Sequence, residues 1–379
     1  MHGSGRLIIG AMSGTSADGV DVALVAVHEP GEPPRARLIG HRHRAFDANL
    51  KSLIQNARQS GRVELADLAK MGRELSLAYA QAILDLLDDL KISPVAVAAL
   101  AAHGQTLFHA PPETIQWLDP ALLAAQVGID VVSDFRRADC AAGGQGAPLV
   151  PLADFVLFRD AERSRVILNI GGIANITHLP AGVTLGQVIA FDTGPGNCLS
   201  DWCCRRFDPA GPGWDQAGRL AADGNVIESL AGAVLNDAYF RRRPPKSTDG
   251  PAMIAPFERA LVGLRDVPEP ADLLTTACAI AARSIVAAIG EFLPGRCDEL
   301  IASGGGTENQ TIMAMLRDGL TGARVLRTDD LGVPGAAKEA IAFALLGAAT
   351  LDRQSGNVPS ATGAAHAVVL GSVTPRPEQ

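Results

Sequence analysis

Gly14, Thr15 and Ser16, in the stretch GAMSGTSADGVD, offer backbone N–H groups unobstructed by large side chains, with two hydroxyls beside them. Such a nest of N–H groups suits an anion. Asp18 and Asp21 follow at once. Two carboxylates would repel a bare phosphate, so the composition makes chemical sense only with a cation between. Mg²⁺ fits, because it keeps several waters and takes one or two carboxylates along with phosphate oxygens. An Asp-Gly hairpin turn is the competing reading, and ADGV satisfies it alone. By itself the segment divides evenly between the two. No Lys follows the glycines, so it is not a Walker A loop. A strand rather than a helix comes next, unlike a Rossmann fingerprint.

The same logic returns twice. NIGGIANIT offers Asn169, Gly171, Gly172 and Asn175 as phosphate contacts. SGGGTENQTIM reads as a buried strand, then Gly304, Gly305 and Gly306, then a helix starting near Thr307 or Glu308. A glycine turn into a helix N-terminus can take phosphate or adenosine against the backbone. Singly, each is more often just a turn; three in this order, over two similar halves, is what a nucleotide bound between two lobes requires.

Asp192, in FDTGPGN, follows an apolar strand and is expected at its end, beside a stiff Gly-Pro turn at a cleft edge. A carboxylate there can act as a general base; the plainer alternative is an Asx cap of its own turn. His103 and Gln105, in AHGQTLFH, come just after a buried strand, where polar side chains often meet substrate. A structural histidine is the commoner case, and the spacing to His109 does not suggest a metal pair. In DFRRADCAAGGQGAPLVP, Arg136 can clamp a carboxylate or phosphate bidentately, or else pair with Asp134 and Asp139. Lys246, in RRPPKSTDGP, sits in a Pro-stiffened loop from which it can reach a phosphate, though a solvated surface loop is the default expectation.

The elements that must position these residues alternate between apolar β-branched runs and helical patterns, which argues for an α/β architecture. RLIIGAM, VDVALVAV and ARLIGHRHRAF read as an antiparallel start, residues 65–90 as a long helix, and VAVAALAAH as a strand buried on both faces. The plan then recurs: RSRVILNIGGIANITHL is strand, small turn, strand, and a further buried strand leads into FDTGPGN. Helices follow in CLSDWCCRRF and ADLLTTACAIAARSIVAAIGEFL, then the strand DELIASGGG. AKEAIAFALLGAATL closes the chain's core as a helix with Gly347 as its weak point. Two halves on one plan suggest duplication, with a cleft between them.

Composition narrows the function. Of 379 residues 47% are hydrophobic and 20% charged, so a substantial core is available. The 40 glycines gather in GGQGAP, NIGGIAN, DTGPGN and SGGG, as turns near a ligand would. A net charge of −8 argues against a broad nucleic-acid or anionic-membrane footprint. The apolar run near the N-terminus is short for a secretory signal, and no segment is expected to reach a membrane span. Six cysteines form no C-x-x-C pairs, so neither a zinc site nor a disulfide framework is suggested, and a cytoplasmic protein with reduced thiols is expected.

Taken in order, GAMSGTSADGVDVAL, AAHGQTLFH, VVSDFRRADCAAGGQGAPLVP, NIGGIANIT, FDTGPGN, PPKST, ASGGG, KEAIAFALLG and GNVPSATGA make the chain resemble the anhydro-N-acetylmuramic acid kinase family. That family belongs to the sugar-kinase, heat-shock-chaperone and actin superfamily, and the resemblance covers nearly the whole chain. It implies two similar lobes of the actin-like ATPase (ribonuclease H-like) fold with an interlobe nucleotide cleft. The N-terminal lobe is expected over 1–135 plus a C-terminal helix at about 336–379, and the second lobe over 136–335. The implied reaction uses ATP to phosphorylate the 6-oxygen of 1,6-anhydro-N-acetylmuramic acid while water opens the anhydro bridge. Residues Gly14, Thr15, Ser16, Ala17, Asp18, Gly19, Val20 and Asp21 are implied to bind ATP, joined by Asn169, Gly171, Gly172, Gly304, Gly305 and Gly306. Asp192 matches the family's catalytic base, and Glu339 an acidic residue near the sugar; His103 and Arg136 match positions lining the sugar side. Mg²⁺ is carried with ATP, through water to Asp18 or Asp21, and a homodimer is implied.

The sequence departs from the family at Asp249, where Gly is usual, and lacks the aromatic expected soon after; alanines precede Glu339 where acidic residues are common. Two alternatives stand: a superfamily kinase of another hexose or amino sugar, and a non-catalytic ATP-switched module of the actin or chaperone kind. Little chain is left for a partner-binding domain, which counts against the second.

Overall fold

In the computed structural model, which describes residues 5–14, 16–28, 36–264 and 267–378, the apolar runs become twelve strands. The first seven elements of sheet are β1 (Arg6–Ser13), β2 (Gly19–Val27), β3 (Ala36–Ala45), β4 (Val97–Ala110), β5 (Glu113–Trp117), β6 (Val131–Ser133) and β7 (Arg165–Ile170). They are followed by β8 (Ile173–Leu179), β9 (Ile189–Pro195), β10 (Glu299–Ser303), β11 (Arg324–Arg327) and β12 (Ser372–Thr374).

These strands form two sheets, ordered β12-β6-β4-β1-β2-β3, with β5 paired to β4, and β11-β10-β7-β8-β9. From the meander end, the two orders are β3-β2-β1-β4-β6 and β9-β8-β7-β10-β11. In each, three strands run antiparallel by hairpins and two further strands add in parallel. That is the actin-like ATPase (ribonuclease H-like) plan, present twice. The β4–β5 hairpin and β12 are additions to the first copy.

The chain divides into two compact units, residues 1–157 with 336–379, and residues 158–335. Residues 136–157 therefore belong to the first unit, not to the second as the sequence suggested. The reason is a buried carboxylate: Asp139 accepts from Gly146 N, Asn357 Nδ2 and Thr362 Oγ1, each at 2.7 Å. Lys338 and Asp154, 2.9 Å apart and both buried, tie the same segment to the returning C-terminal part. Charged groups at that depth require such partners.

In the first unit the helix Lys338–Leu351 packs on β1, β2 and β4. A Cβ at Gly10 would collide with Ala340 O and stand 2.6 Å from Ala344 N; one at Gly347 would stand 2.6 Å from Ala101 Cβ. Gly347 is thus a requirement of close helix–sheet approach rather than a weak point. In helix Leu65–Leu90, Met71, Leu75, Tyr79, Ile83 and Leu86 recur every three or four residues and face the core.

The second unit's core centres on helix Pro270–Phe292, where Leu274, Cys278, Ile285 and neighbours are buried. Its length and the mean hydropathy of 1.8 over its most apolar 18 residues would suffice for a membrane span, contrary to expectation, but 78% of that stretch is buried inside the protein. It is a core helix. At the N-terminal end of β10, in register with Arg165 and Arg324, the buried Glu299 carboxylate binds Arg165 Nε at 2.8 Å, with Arg324 at 3.1 Å and Arg163 at 3.5 Å. Glu299→Ala would leave the buried Arg165 guanidinium with Asp160, 3.1 Å away, as its remaining carboxylate, so urea unfolding should show a loss of about 2 kcal/mol, the cost of one hydrogen bond between charged groups.

Candidate active site

In the first unit, the candidate residues cluster where β1 reaches its C-terminal end against the middle of its parallel neighbour β4. Ser13 stands opposite Gln105 in register. Ser13 Oγ donates to Gln105 Oε1 (2.7 Å), and Gln105 Nε2 donates to Gly14 O (3.1 Å), so a buried amide anchors the start of the loop. Ala17 has φ of 52° and donates its N–H to Gly14 O (3.2 Å), which closes a tight turn. Ser16 Oγ donates to Asp18 Oδ1 (2.9 Å), and both residues are exposed. Thr15 lies outside the described residues.

Not every residue of this stretch is free to meet a ligand. A Cβ at Gly19 would strike Arg44 O, so this glycine serves the β2–β3 pairing. The Val20 side chain is wholly in the core, leaving only its main chain for contact. Asp21 Oδ1 lies 2.9 Å from His43 Nδ1 across that pairing. Burial raises its carboxyl above the ordinary value, with His43 opposing. Asp18 is the open carboxylate.

His103, Arg136 and Glu339 do come together. Arg136 Nε donates to His103 Nε2 (3.0 Å), and Nη1 donates to Gly146 O (2.7 Å). His103 Nε2 is therefore the acceptor, and Nδ1, 2.9 Å from Gly104 O, carries the proton. Burial, with Arg136 adding, holds the imidazole well below its usual range, so it is neutral. Its ring lies 4.7 Å from that of Phe343, one helical turn after Glu339. Burial lowers the Arg136 guanidinium to about 10, and Glu339 pulls in the other direction. Desolvation raises the Glu339 carboxyl above its ordinary value, opposed by Lys338 and Arg136. The aspartates thought to compete for Arg136 are occupied: Asp134 pairs with Arg137 at 2.6 Å, and Asp139 is held as described above. Arg136 thus retains donors for an anionic ligand.

In the second unit the corresponding edge is the end of β7 and β10, where Asn169 is in register with Ser303. Asn169 also opposes Asn175 on β8, and Asn175 opposes Asp192 on β9. Directly opposite residues share a face, so Asn169, Asn175 and Asp192 form one polar row across three strands. Gly304 has φ of +87°, and a Cβ there would stand 2.6 Å from Ile170 O and 2.7 Å from Asn169 Oδ1. A Cβ at Gly306 would strike the Ile170 side chain, whereas Gly172 and Gly305 face open space.

The helix after these glycines starts later than expected. A 3₁₀ turn, Gly305–Glu308, comes first, and the α-helix runs Gln310–Gly319. Asn309 Oδ1 accepts from Thr311 N and Ile312 N, both at 3.1 Å. These N–H groups are thereby used by an internal cap, which leaves the main chain of the glycine turn as the candidate anion contact of this element.

Asp192 lies inside β9 rather than at its end. It does not cap its own turn: Oδ2 accepts from Thr248 N at 3.0 Å, in a loop 56 residues further along. Its main-chain N–H donates to Lys246 O (3.1 Å), and its carbonyl accepts from Tyr239 Oη–H (2.7 Å). Burial pushes the carboxyl up to about 6, with the Thr248 bond opposing. Gly171 O accepts from Asn197 N (2.8 Å), and Gly172 O from Gly196 N (2.9 Å) and Cys198 N (3.0 Å). The Gly171–Gly172 loop and the turn after Asp192 are therefore one hydrogen-bonded assembly. Lys246, expected in solvent, is buried. Neither Lys246 nor Thr248 carries a local signal of this role, because the contacts are made by a distant loop.

A model of the anhydro-N-acetylmuramic acid kinase family matches residues 6–376. The chain belongs to that family. An anhydro-N-acetylmuramic acid kinase of Bacillus thuringiensis subsp. konkukian (strain 97-27) is 38% identical over 378 residues, covering 97% of this chain and 98% of its own. That of Bacillus cereus (strain Q1) has the same identity and coverage. Among solved structures, the activator of the 2-hydroxyisocaproyl-CoA dehydratase from Clostridium difficile with bound ADPNP aligns at a TM-score of 0.46. The two are 9% identical, over 90% of this chain and 93% of that one. As an anhydro-N-acetylmuramic acid kinase family member, the protein is a phosphotransferase with an alcohol group as acceptor, a sugar kinase that uses ATP. Membership sets aside the non-catalytic switch.

Proposed function

We propose that the protein opens the 1,6-anhydro bond of 1,6-anhydro-N-acetylmuramic acid with water and transfers the γ-phosphoryl group of ATP to the freed 6-oxygen. The products are N-acetylmuramic acid 6-phosphate and ADP, and the role is cell-wall recycling by a cytoplasmic homodimer. The observation that carries this reading is the Asp192 carboxylate: half-buried, held through Oδ2 by the Thr248 N–H, and raised to about 6. A general base works best with a pKa near the operating pH.

Asp192 takes a proton from water as its oxygen bonds to the anomeric carbon. The bond from that carbon to the 6-oxygen breaks, and its electron pair goes to the oxygen, which bonds to phosphorus as ADP leaves. An inverting glycosidase needs a second carboxylic acid to protonate the leaving oxygen. Here phosphorus takes the place of that proton, so one base suffices. The reading assigns the sugar to Arg136 and Glu339, with His103, whose two ring nitrogens are engaged by Arg136 and Gly104, lining that side and orienting Arg136, which clamps the substrate's carboxylate. It assigns the triphosphate to residues 14–21 and to Asn169, Gly171, Gly172 and Gly304–Gly306.

Oxygen donors at Ser16 and Asp18 suit Mg²⁺, while Asp21 is engaged by His43; no cluster of three His, Cys, Asp or Glu side chains able to hold a metal occurs among the described residues. When bound, Mg²⁺ would offset charge on the phosphates, held through their oxygens and water near Asp18. The acidic limb of kcat/KM should titrate near pH 6 and fall about tenfold per unit below it, because only ionised Asp192 accepts a proton.

A substrate panel tests the reading. With Mg-ATP, the purified protein should convert 1,6-anhydro-N-acetylmuramic acid to a phosphorylated, ring-opened sugar by mass spectrometry, and leave glucose and N-acetylglucosamine untouched. Preference for sugars with a free 6-hydroxyl would instead indicate a kinase of an ordinary hexose or amino sugar, with Asp192 deprotonating that hydroxyl.

A further inference from the structure

Lys246 is a buried ammonium whose surroundings serve no obvious stabilising purpose. Its Nζ donates to Phe240 O (3.2 Å) and Tyr239 O (3.4 Å). It lies 4.5 Å from the ring centroid of Phe292, 4.9 Å from that of Tyr239 and 5.8 Å from that of Phe191. Among the described residues no carboxylate lies within ion-pair distance of it. Desolvation lowers the ammonium below the ordinary lysine value, while Glu291 opposes and Arg242 adds to the fall. Carbonyls and ring faces compensate a buried cation only in part.

What the arrangement does achieve is to fix the loop that carries it. From that loop Lys246 O accepts the Asp192 N–H, and two residues later Thr248 N donates to Asp192 Oδ2. Tyr239, under the ammonium, donates its hydroxyl to Asp192 O. Asp249, where the family usually has Gly, accepts from Ala252 N (2.8 Å) and caps the helix Gly250–Val262, which secures the loop's far end. The Asp192 carboxylate has no other hydrogen-bond donor among the described residues, so this one N–H sets its orientation and leaves Oδ1 for the substrate water.

We infer that Lys246 is a positioning residue: its ammonium pins the 246–249 loop in an aromatic and carbonyl cage so that the Thr248 N–H holds the Asp192 carboxylate at its working angle. This rests on the reading of Asp192 as the base. The Lys246 ammonium is spent on two main-chain carbonyls and three ring faces, so its loss is expected to act on kcat rather than on binding. It also acts on the acidic limb, because the Thr248 bond favours the ionised carboxylate.

The experiment compares wild type, Lys246→Met, Lys246→Gln and Asp192→Asn in steady-state kinetics from pH 5 to 9, with thermal melting of each. Lys246→Met should fold, because an unbranched apolar chain suits an aromatic cage. Its kcat should fall roughly tenfold to a hundredfold, as misplacement of a reacting group does, with both KM values within about twofold of wild type. Its acidic limb should move above that of wild type. Lys246→Gln keeps a donor for one carbonyl and should recover part of kcat, and it serves should the Met variant fail to fold. A folded Lys246→Met, or failing that a folded Lys246→Gln, with wild-type kcat and an unmoved limb overturns the inference. An active Asp192→Asn overturns instead the reading on which it rests.

Discussion

Asp192→Asn should lose about a thousandfold or more in kcat while melting at a higher temperature than wild type. The first half follows from the proton transfer, for which removing a positioned base typically costs two to four powers of ten. No second carboxylate occurs in its polar row to substitute, since Asn169 and Asn175 are amides. The second half follows from linkage. Burial raises the carboxyl from 3.8 to about 6, so the folded state prefers it protonated. That stabilisation is complete below the unfolded value and is lost as pH rises through about 6. At neutral pH the ionised group therefore works against the fold, and an uncharged amide removes the conflict. Asn still offers an oxygen to Thr248 N, so the loop keeps its contact. Calorimetric titration should find ATP affinity close to wild type. A dead variant with a raised melting temperature separates loss of chemistry from loss of structure.

Gly10→Ala should destabilise the first unit by about 3 kcal/mol or more, the upper range for forcing volume into a packed interior. Its added methyl would meet Ala340 O and Ala344 N, both main-chain atoms of the helix Lys338–Leu351. No rotamer change relieves such a clash; the helix must move off β1. For a unit of this size the shift in melting temperature is roughly 10 °C by differential scanning calorimetry. Because Glu339 and Phe343 ride on that helix, activity should fall as well. Gly290→Ala supplies the contrast. It lies in helix Pro270–Phe292 with open space around it, so the same change there should leave the melting temperature unchanged or raise it slightly.

Which features the sequence reveals depends on how local their causes are. Strands β1, β2, β4 and β7 are legible because a buried strand needs consecutive apolar residues, and the glycine turns between them because small residues in tight turns are visible directly. The repeated plan follows from those strands. Features set by distant partners are not legible. Residues 136–157 join the first unit because Asn357, 218 residues on from Asp139, binds its carboxylate. Lys246 follows three arginines in a polar stretch that reads as solvated, yet its environment comes from Phe191, Tyr239 and Phe292. Asp192 was recognisable as a residue of interest, but its partner Thr248 lies in another loop, so neither its tuning nor its orientation could be read from FDTGPGN. Helix Pro270–Phe292 shows the converse: its apolar composition is plain in sequence, and only the packing around it distinguishes a core helix from a membrane span.

The central claim is that one water molecule, deprotonated by Asp192, opens the sugar while its 6-oxygen takes the phosphoryl group. Its most direct test is a single turnover with Mg-ATP and 1,6-anhydro-N-acetylmuramic acid in ¹⁸O-labelled water, quenched before the free anomeric hydroxyl exchanges with solvent. The account predicts one product carrying the label at the anomeric oxygen, an unlabelled bridging 6-oxygen and unlabelled phosphate, with ADP formed in equal amount. Label in the phosphate, or ADP formed without a ring-opened sugar, would contradict it.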